Sequence, residues 1–505
     1  MNMEQYNNYI NSVWRQSRSQ RTFNNVSPAN KNDIIGEFPD SDSADLEEAV
    51  TAAKYAFDKW KRMPAPKRGD ILRIAGDIFA KRKNELAKIM TREMGKPVFE
   101  TKGDIQEAID TCYYAATETR RLFGHNAPSE MPDKMNLSFR VPVGICGIIT
   151  AWNFPIAVPS WKIIPALAAG NVVIFKPSED SPLSANIFAE IMEQAGLPKG
   201  VFNVLHGAAE IGDAIVHHPD INLIGFTGST ETGKKIAATC GKMNKKVSLE
   251  MGGKNAQIVM DDANLELAIE GALWGAYGTT GQRCTATSRV LLHSAIHDQF
   301  LDTFKEKVKN LKLGDGLNPK TDVGPVINQK AIDKILGYIE IGKSEGAKLE
   351  FGGARADNTY NHSDDNFDLA DGNFIQPTLF SNVTKDMRIF QEEIFGPVLS
   401  VSKFDTLEEA IDLSNSVNYG LSSSIYTNNV RNSWVAVREL EAGITYVNAP
   451  TIGAEAHMPF GGVKGTGNGH REGGWTVFDI FTEWKTVYID YSDKLQRAQI
   501  DNYDE

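Results

Sequence analysis

The stretch Gly281-Gln282-Arg283-Cys284-Thr285 sets one cysteine beside a guanidinium in a polar, glycine-led segment. A thiol next to a cation and outside a continuous apolar run is in a setting that favours thiolate, the form that attacks an electrophilic carbon. Read alone, the stretch equally describes an ordinary half-buried cysteine. Glu250 ends the apolar run Val247-Ser248-Leu249 and precedes Met251-Gly252-Gly253, where missing side chains let backbone approach a ligand. A carboxylate at such a strand end is a candidate general base, or simply a solvated charge. The run Phe226-Thr227-Gly228-Ser229-Thr230-Glu231-Thr232-Gly233 follows an apolar strand and opens a helix, where backbone N–H groups can hold a phosphate. It lacks the Gly-x-Gly-x-x-Gly pattern, and a plain tight turn reads as well.

Two other features carry less. The glycine-rich stretch 461–469 has no following Gly-Lys-Ser/Thr, which argues against a nucleoside triphosphatase. His217 and His218 are chain neighbours that cannot both face one metal from a helix, and no further ligand falls at useful spacing, so no metal is expected. The remaining cysteines, Cys112, Cys146 and Cys240, are widely spaced and form no Cys-x-x-Cys pair, against a disulfide scaffold or a zinc ribbon.

These residues need elements to hold them. Apolar residues at three- and four-residue spacing predict an amphipathic helical layer over 43–120, clearest at 45–60 and 67–94. From about 138 the texture changes to short apolar runs at 143–151, 171–175, 201–205 and 221–226, with helical stretches at 184–195 and 210–217 between them. That alternation predicts a buried parallel sheet with its ligand site at the carboxyl ends of the strands. A second alternation begins near 255, with helices over 264–278 and 297–311 and a strand over 289–292, and predicts a second α/β domain. Residues 354–373 read as a surface insertion and 490–505 as a polar tail.

A chain of 505 residues has room for about three domains. Its 41% hydrophobic and 23% charged residues are those of an ordinary globular protein. A net charge of −12 speaks against nucleic acid and anionic membranes as partners, and no apolar run approaches a bilayer span. With no signal-like start, a soluble cytoplasmic protein is expected.

Together, TAWNFP (150–155), FKPSED (175–180), FTGSTETG (226–233), LEMGGKNA (249–256), GQRC (281–284), EEIFGPV (392–398) and PFGGVKGTGNGHREGG (459–474) resemble the aldehyde dehydrogenase superfamily, in its order, over about residues 20–490. The resemblance implies an α/β architecture: a Rossmann-like cofactor domain over 1–123 and 143–252, an α/β catalytic domain over 253–466, and a small bridging and oligomerisation region over 124–142 and 482–505. It implies Cys284 as nucleophile, Glu250 as the base that activates water on the thioester, and Asn153 as an oxyanion donor beside the Cys284 N–H. Lys162 and Glu472 align with a lysine and a glutamate of a proton relay, a role that a structural ion pair rivals, and Glu483 resembles a structural glutamate near the subunit boundary. For the cofactor it implies Trp152, Lys176, Glu179, Gly207, Ser229, Glu393 and Phe395, with NAD favoured over NADP because a carboxylate at Glu179 repels a 2′-phosphate.

Residues 141–171 and 281–289 look most like dehydrogenases of α-ketoglutaric semialdehyde, while the stretch from Asn448 to Gly474 also resembles the aminoadipic semialdehyde branch. The partner implied is a small aldehyde bearing a carboxylate. Betaine or aliphatic aldehydes, a CoA-acylating enzyme, and a non-catalytic structural protein on the same fold stay open. An anion on a protein of charge −12 needs a local cation, and Arg283, next to the nucleophile, is the candidate substrate anchor; support of its loop is the competing role. Apolar alternation at 137–141 and 486–489 fits strands paired across subunits, and a homodimer or homotetramer is expected.

Overall fold

A computed structural model describes residues 3–364 and 366–501. The helical layer is three consecutive helices, Ser43–Trp60, Ala65–Met94 and Val98–Glu118. Asp42 caps the first, accepting from the N–H groups of Ala44 and Asp45 while the Asp45 carboxylate reaches back, and so satisfies donors that open a helix. Pro64 and Pro97 precede the other two, where a proline costs no helical hydrogen bond. Leu72, Phe79, Met90, Ile105 and Cys112 are buried in the core that these helices share with the first sheet.

That sheet has seven strands in the order Lys246–Glu250, Leu223–Thr227, Ile145–Ile149, Val172–Lys176, Phe202–Val204, Asn8–Ile10, Val13–Arg15. The first five are parallel, fully buried at Ile145–Ile149, Val172–Lys176 and Phe202–Val204, and joined through helices Ala157–Ala169, Pro182–Gln194, Ala209–His217 and Thr230–Lys242. The last two are antiparallel additions from the N-terminus. Periodicity did not announce them, because three-residue strands are too short to display it.

The second seven-stranded sheet runs in the order Lys348–Phe351, Thr378–Ser381, Val398–Phe404, Thr287–His293, Asn255–Val259, Ser422–Tyr426, Ile444–Val447, antiparallel only at the first pair. A third sheet joins Thr482–Asp490, Lys134–Pro142 and His125–Pro128; Glu483 pairs with Val141 in it, and the Lys246 Nζ lies 3.0 Å from the Glu483 carboxylate. Residues 502–505 of the expected bridging region lie outside the described residues, as do 1–2 and 365 of the other two regions. The 354–373 insertion is pinned by Leu369, which is fully buried. Among the described residues no helix is long and apolar enough to cross a membrane.

Candidate active site

Lys246–Glu250 is an edge strand of the first sheet, and Glu250 at its end bridges antiparallel to Gly467. Glu250 is buried, and neither carboxylate oxygen accepts a hydrogen bond. Burial pushes its carboxyl up to about 8, against the attraction of Lys162 and Arg471. A buried carboxyl that titrates near neutrality can hold or release a proton at working pH. The glycine-rich 461–469 stretch latches this strand: Met251 N–H donates to Thr466 O (2.7 Å) and Leu249 N–H to the Asn468 side chain (3.0 Å). A Cβ on Gly461 would stand 2.7 Å from the Glu250 Oε1, so the absent side chain makes the carboxylate's room.

The nucleophile candidate is carried on a distorted turn. Helix Leu265–Tyr277 runs into Gly278–Gly281, where Thr279 and Thr280 adopt left-handed φ of 51° and 57°. Side chains rarely tolerate this, and here it is clamped: Glu100 accepts from Thr279 N–H (3.0 Å) and its hydroxyl, and the Thr280 hydroxyl donates to Gly324 O (3.0 Å). Beyond the turn, Asn255 Nδ2 donates to the carbonyls of Cys284 and Ala286, both at 2.8 Å. Gly252 and Gly253 make this approach possible. A Cβ on Gly253 would meet Cys284 O at 2.3 Å, and one on Gly252 would meet the Glu393 carboxylate at 2.4 Å.

Cys284 is half-buried, whereas Cys112, Cys146 and Cys240 lie inside the fold. Burial pushes the Cys284 thiol up to about 12, Glu250 and Glu393 add to the rise, and the backbone N–H groups of Thr285 and Cys284 oppose it. Arg283, paired with Glu100, is not among the charges that act on this thiol, so the sequence expectation that it favours thiolate finds no support in the groups around the sulfur. Arg283 Nη2 lies 2.6 Å from Glu100 Oε2, its Nε donates to Thr279 Oγ1 (2.8 Å), and its plane stands over Trp274 (4.9 Å) and Phe154 (5.5 Å). It does not present a free guanidinium to the cleft. That pairing, across 183 positions of chain, ties Arg283 to the same carboxylate that clamps Thr279.

Asn153 is buried, and one of its amide N–H groups donates to Gln282 O at 3.0 Å, which leaves the other beside the Cys284 loop. Lys162, 1% exposed, contacts Glu472, and burial lowers its ammonium to about 8 against the pull of Glu250 and Cys284. Cys284, Glu250 and Lys162 thus sense one another across a buried space, an arrangement able to bind a carbon electrophile at sulfur and move protons around it. On the far wall, helix Val98–Glu118 turns Glu100, Asp104 and Glu107 to one side at three- and four-residue spacing. Asp104 pairs with buried Lys96 at 2.9 Å; the half-buried Glu107 carboxyl has no ion pair among the described residues. Burial pushes the Tyr446 hydroxyl up, and Glu107, Glu455 and Cys284 add to the rise.

The sequence pattern of the aldehyde dehydrogenase family matches residues 14–487. The chain belongs to that family. It is 40% identical over 485 residues to an alpha-ketoglutaric semialdehyde dehydrogenase of Bacillus subtilis (strain 168), covering 96% of this chain and 98% of the relative. A 2,5-dioxopentanoate dehydrogenase of Saccharolobus solfataricus is 39% identical over 467 residues, 92% of this chain and 95% of that one. Among solved structures, a betaine aldehyde dehydrogenase of Staphylococcus aureus in complex with NAD+ superposes with a TM-score of 0.93 at 35% identity, covering 98% of this chain and 96% of that one.

As an aldehyde dehydrogenase, the chain has a cradle that fits a dinucleotide. Ser229 caps helix Thr230–Lys242, accepting from Thr232 N–H, and leaves an open helix N-terminus at the carboxyl ends of the first sheet. Gly207 faces Ile211, Asp40 and Ser41 so closely that a Cβ would fill the space. Lys176, buried, lies 3.4 Å from the half-exposed Glu179. Nearer Cys284, Glu393 accepts from Gly253 N–H at 2.8 Å, and the ring of Phe395, itself at a φ of 61°, meets Trp152 edge-on at 5.7 Å. Sequence reasoning missed Glu100, Asn255 and Glu107. Asn255 stood within a matched motif, whereas two acids on an amphipathic helix give no sequence signal apart from solvated charge.

Proposed function

We propose that this aldehyde dehydrogenase oxidises a carboxylate-bearing semialdehyde, α-ketoglutaric semialdehyde in the first instance, to the dicarboxylate, with NAD. The observation that carries the chemistry is the buried meeting of Cys284 with an unbonded Glu250. The Cys284 sulfur attacks the aldehyde carbon as its proton passes to water in the cleft, and the Asn153 amide with the Cys284 N–H steadies the alkoxide oxygen. NAD supplies the hydride acceptor. Glu250 then takes a proton from water as that water attacks the thioester, which releases acid and frees the sulfur. The Lys162–Glu472 pair is a route for the base's proton. Lys176 and Glu179 hold the adenosine ribose hydroxyls, with Glu179 disfavouring NADP; Gly207 and Ser229 receive the adenine and phosphate side, and Glu393, Phe395 and Trp152 the nicotinamide side. The three regions named from sequence serve as cofactor, catalytic and bridging units, and the protein works in the cytoplasm as a homodimer or homotetramer through its third sheet.

The names of the relatives support the substrate. Glu107 supports it too: burial and Asp104 push its carboxyl up to about 8, so at neutral pH it offers an O–H to a substrate carboxylate. A second reading, a cationic aldehyde such as betaine aldehyde, is favoured by the same residue if ionised, with Tyr446 beside it. A panel of acidic, neutral and cationic aldehydes compared by kcat/KM at pH 7 decides; a preference for the cationic member overturns the proposal. Release of free acid without CoA separates hydrolysis from acyl transfer to CoA, and absence of NADH formation with every aldehyde would leave only a structural role.

A further inference from the structure

One residue past Gly253, Lys254 is 1% exposed and its Nζ has no hydrogen-bond partner. It lines a cavity of about 10 Å³ with Asn255, Arg289, Tyr419, Ser422 and Glu441. The Ser422 hydroxyl, also buried, is likewise unpartnered. Arg289, 1% exposed, gives its N–H groups to the carbonyls of Lys254, Leu413 and Ser414, stacks over Phe390, and makes no ion pair among the described residues. Two basic side chains are thus buried around one small space with no carboxylate on either. The one acid in the lining, Glu441, has its carboxylate 2.5 Å from Lys464 Nζ and is directed toward the surface. Glu393, on the other side, is taken by Gly253 N–H.

We propose that this cavity is a site for one small monovalent anion of halide size, held by the Lys254 ammonium and the Ser422 hydroxyl. An unpaired buried ammonium is strongly disfavoured, and its alternatives are to lose its proton or to gain a counter-charge. A water would satisfy the serine but would neutralise nothing. The space suits one particle and excludes phosphate or sulfate. Around Lys254 stand Arg289 and Lys334, which together with burial push its ammonium down to about 7, and Glu393 and Glu392, which oppose them. The anion therefore binds best below pH 7, where the amine is charged, and is released as pH rises above it. The site also bears on the reaction centre: Ser422 N–H donates to Asn255 Oδ1 (3.0 Å), and Asn255 holds the carbonyl of Cys284.

Bromide is the probe. Crystals soaked in sodium bromide at pH 6.5 should give an anomalous peak within hydrogen-bond reach of Lys254 Nζ. In solution at constant ionic strength, the unfolding midpoint at pH 6.5 should be about 2 °C higher in bromide than in gluconate, which is too large for the cavity, and the difference should vanish at pH 8.5. Lys254→Met should abolish it. Ser422→Ala, which keeps the ammonium, should raise the half-saturating bromide concentration about tenfold. The proposal is overturned if the soaked crystal carries bromide elsewhere but not here, or if either variant retains the wild-type bromide response.

Discussion

Two sets of buried charges flank Cys284, and they are built in opposite ways. On the helix Val98–Glu118 side the charges that clamp the turn are saturated, and Glu107, farther along the helix, is the exception. Glu100 accepts from Arg283 and from Thr279, Asp104 accepts from Lys96 and from Ala157 N–H (2.7 Å), and the Lys96 ammonium also sits 3.6 Å from the centre of the Phe154 ring. On the Glu250 side the carboxylate accepts no hydrogen bond among the described residues, and the Lys162 ammonium contacts Glu472. Saturated groups are held in fixed positions, so they can locate a neighbour. Bare ones carry pKa values near neutrality and can exchange protons. On the function proposed above, the first set positions the sulfur and the second does its chemistry.

The sharpest break of this contrast is at the sulfur. Cys284→Ala should lower steady-state NADH formation by about 10⁴-fold or more, while Ala at Cys112, Cys146 or Cys240 leaves turnover within a few-fold; retained activity in the Cys284 variant would sink the mechanism. On the bare side, Glu250→Gln should still release a burst of NADH, roughly one per site, and then stall. Wild-type kcat should rise with pH through about 8, where Glu250 becomes ionised, and the variant should lose that rise. A variant that binds cofactor and aldehyde yet gives no burst would make Glu250 the acceptor of the thiol's proton as well.

On the saturated side, Glu100→Gln strands the Arg283 charge and should destabilise the fold by about 3 kcal/mol in denaturant titration. Arg283→Met should lower kcat/KM equally for acidic and neutral aldehydes of one length; a loss confined to the acidic ones would restore Arg283 as an anchor. The smallest effect belongs to Glu107. Its carboxyl is neutral below about 8 and ionised above, so the ratio of acidic to neutral aldehyde kcat/KM should fall a few-fold between pH 7 and 9 in the wild type and stay flat in Glu107→Gln. Taking the ratio cancels the titration of Glu250.

The bare set was more legible in sequence than the saturated one. Cys284, Glu250 and the glycines around them stand in short motifs whose reason is local: strand end, close approach, turn. The main sheets were legible from alternating apolar runs, and helix 45–60 was read within two residues of Ser43–Trp60. Arg283 was visible but its two roles, anchor or loop support, could not be told apart, because its partner lies 183 positions away on a helix whose acids all look solvated from their spacing. Long-range pairing of charges leaves no periodic trace, whereas burial of apolar faces does. The N-terminal strands escaped for the related reason that their register is supplied by the sheet they join.

The left-handed Thr279–Thr280 turn has a consequence for anyone who would make the protein sturdier. Two β-branched residues in that conformation cost on the order of 1–3 kcal/mol each, and glycine or asparagine at either position would relieve it. The relief would be spent where the loop now has no freedom: a turn at ease no longer needs Glu100 to keep it shut, and the sulfur at its end would wander over a wider arc. Heat tolerance and aim are set against each other in the same two residues.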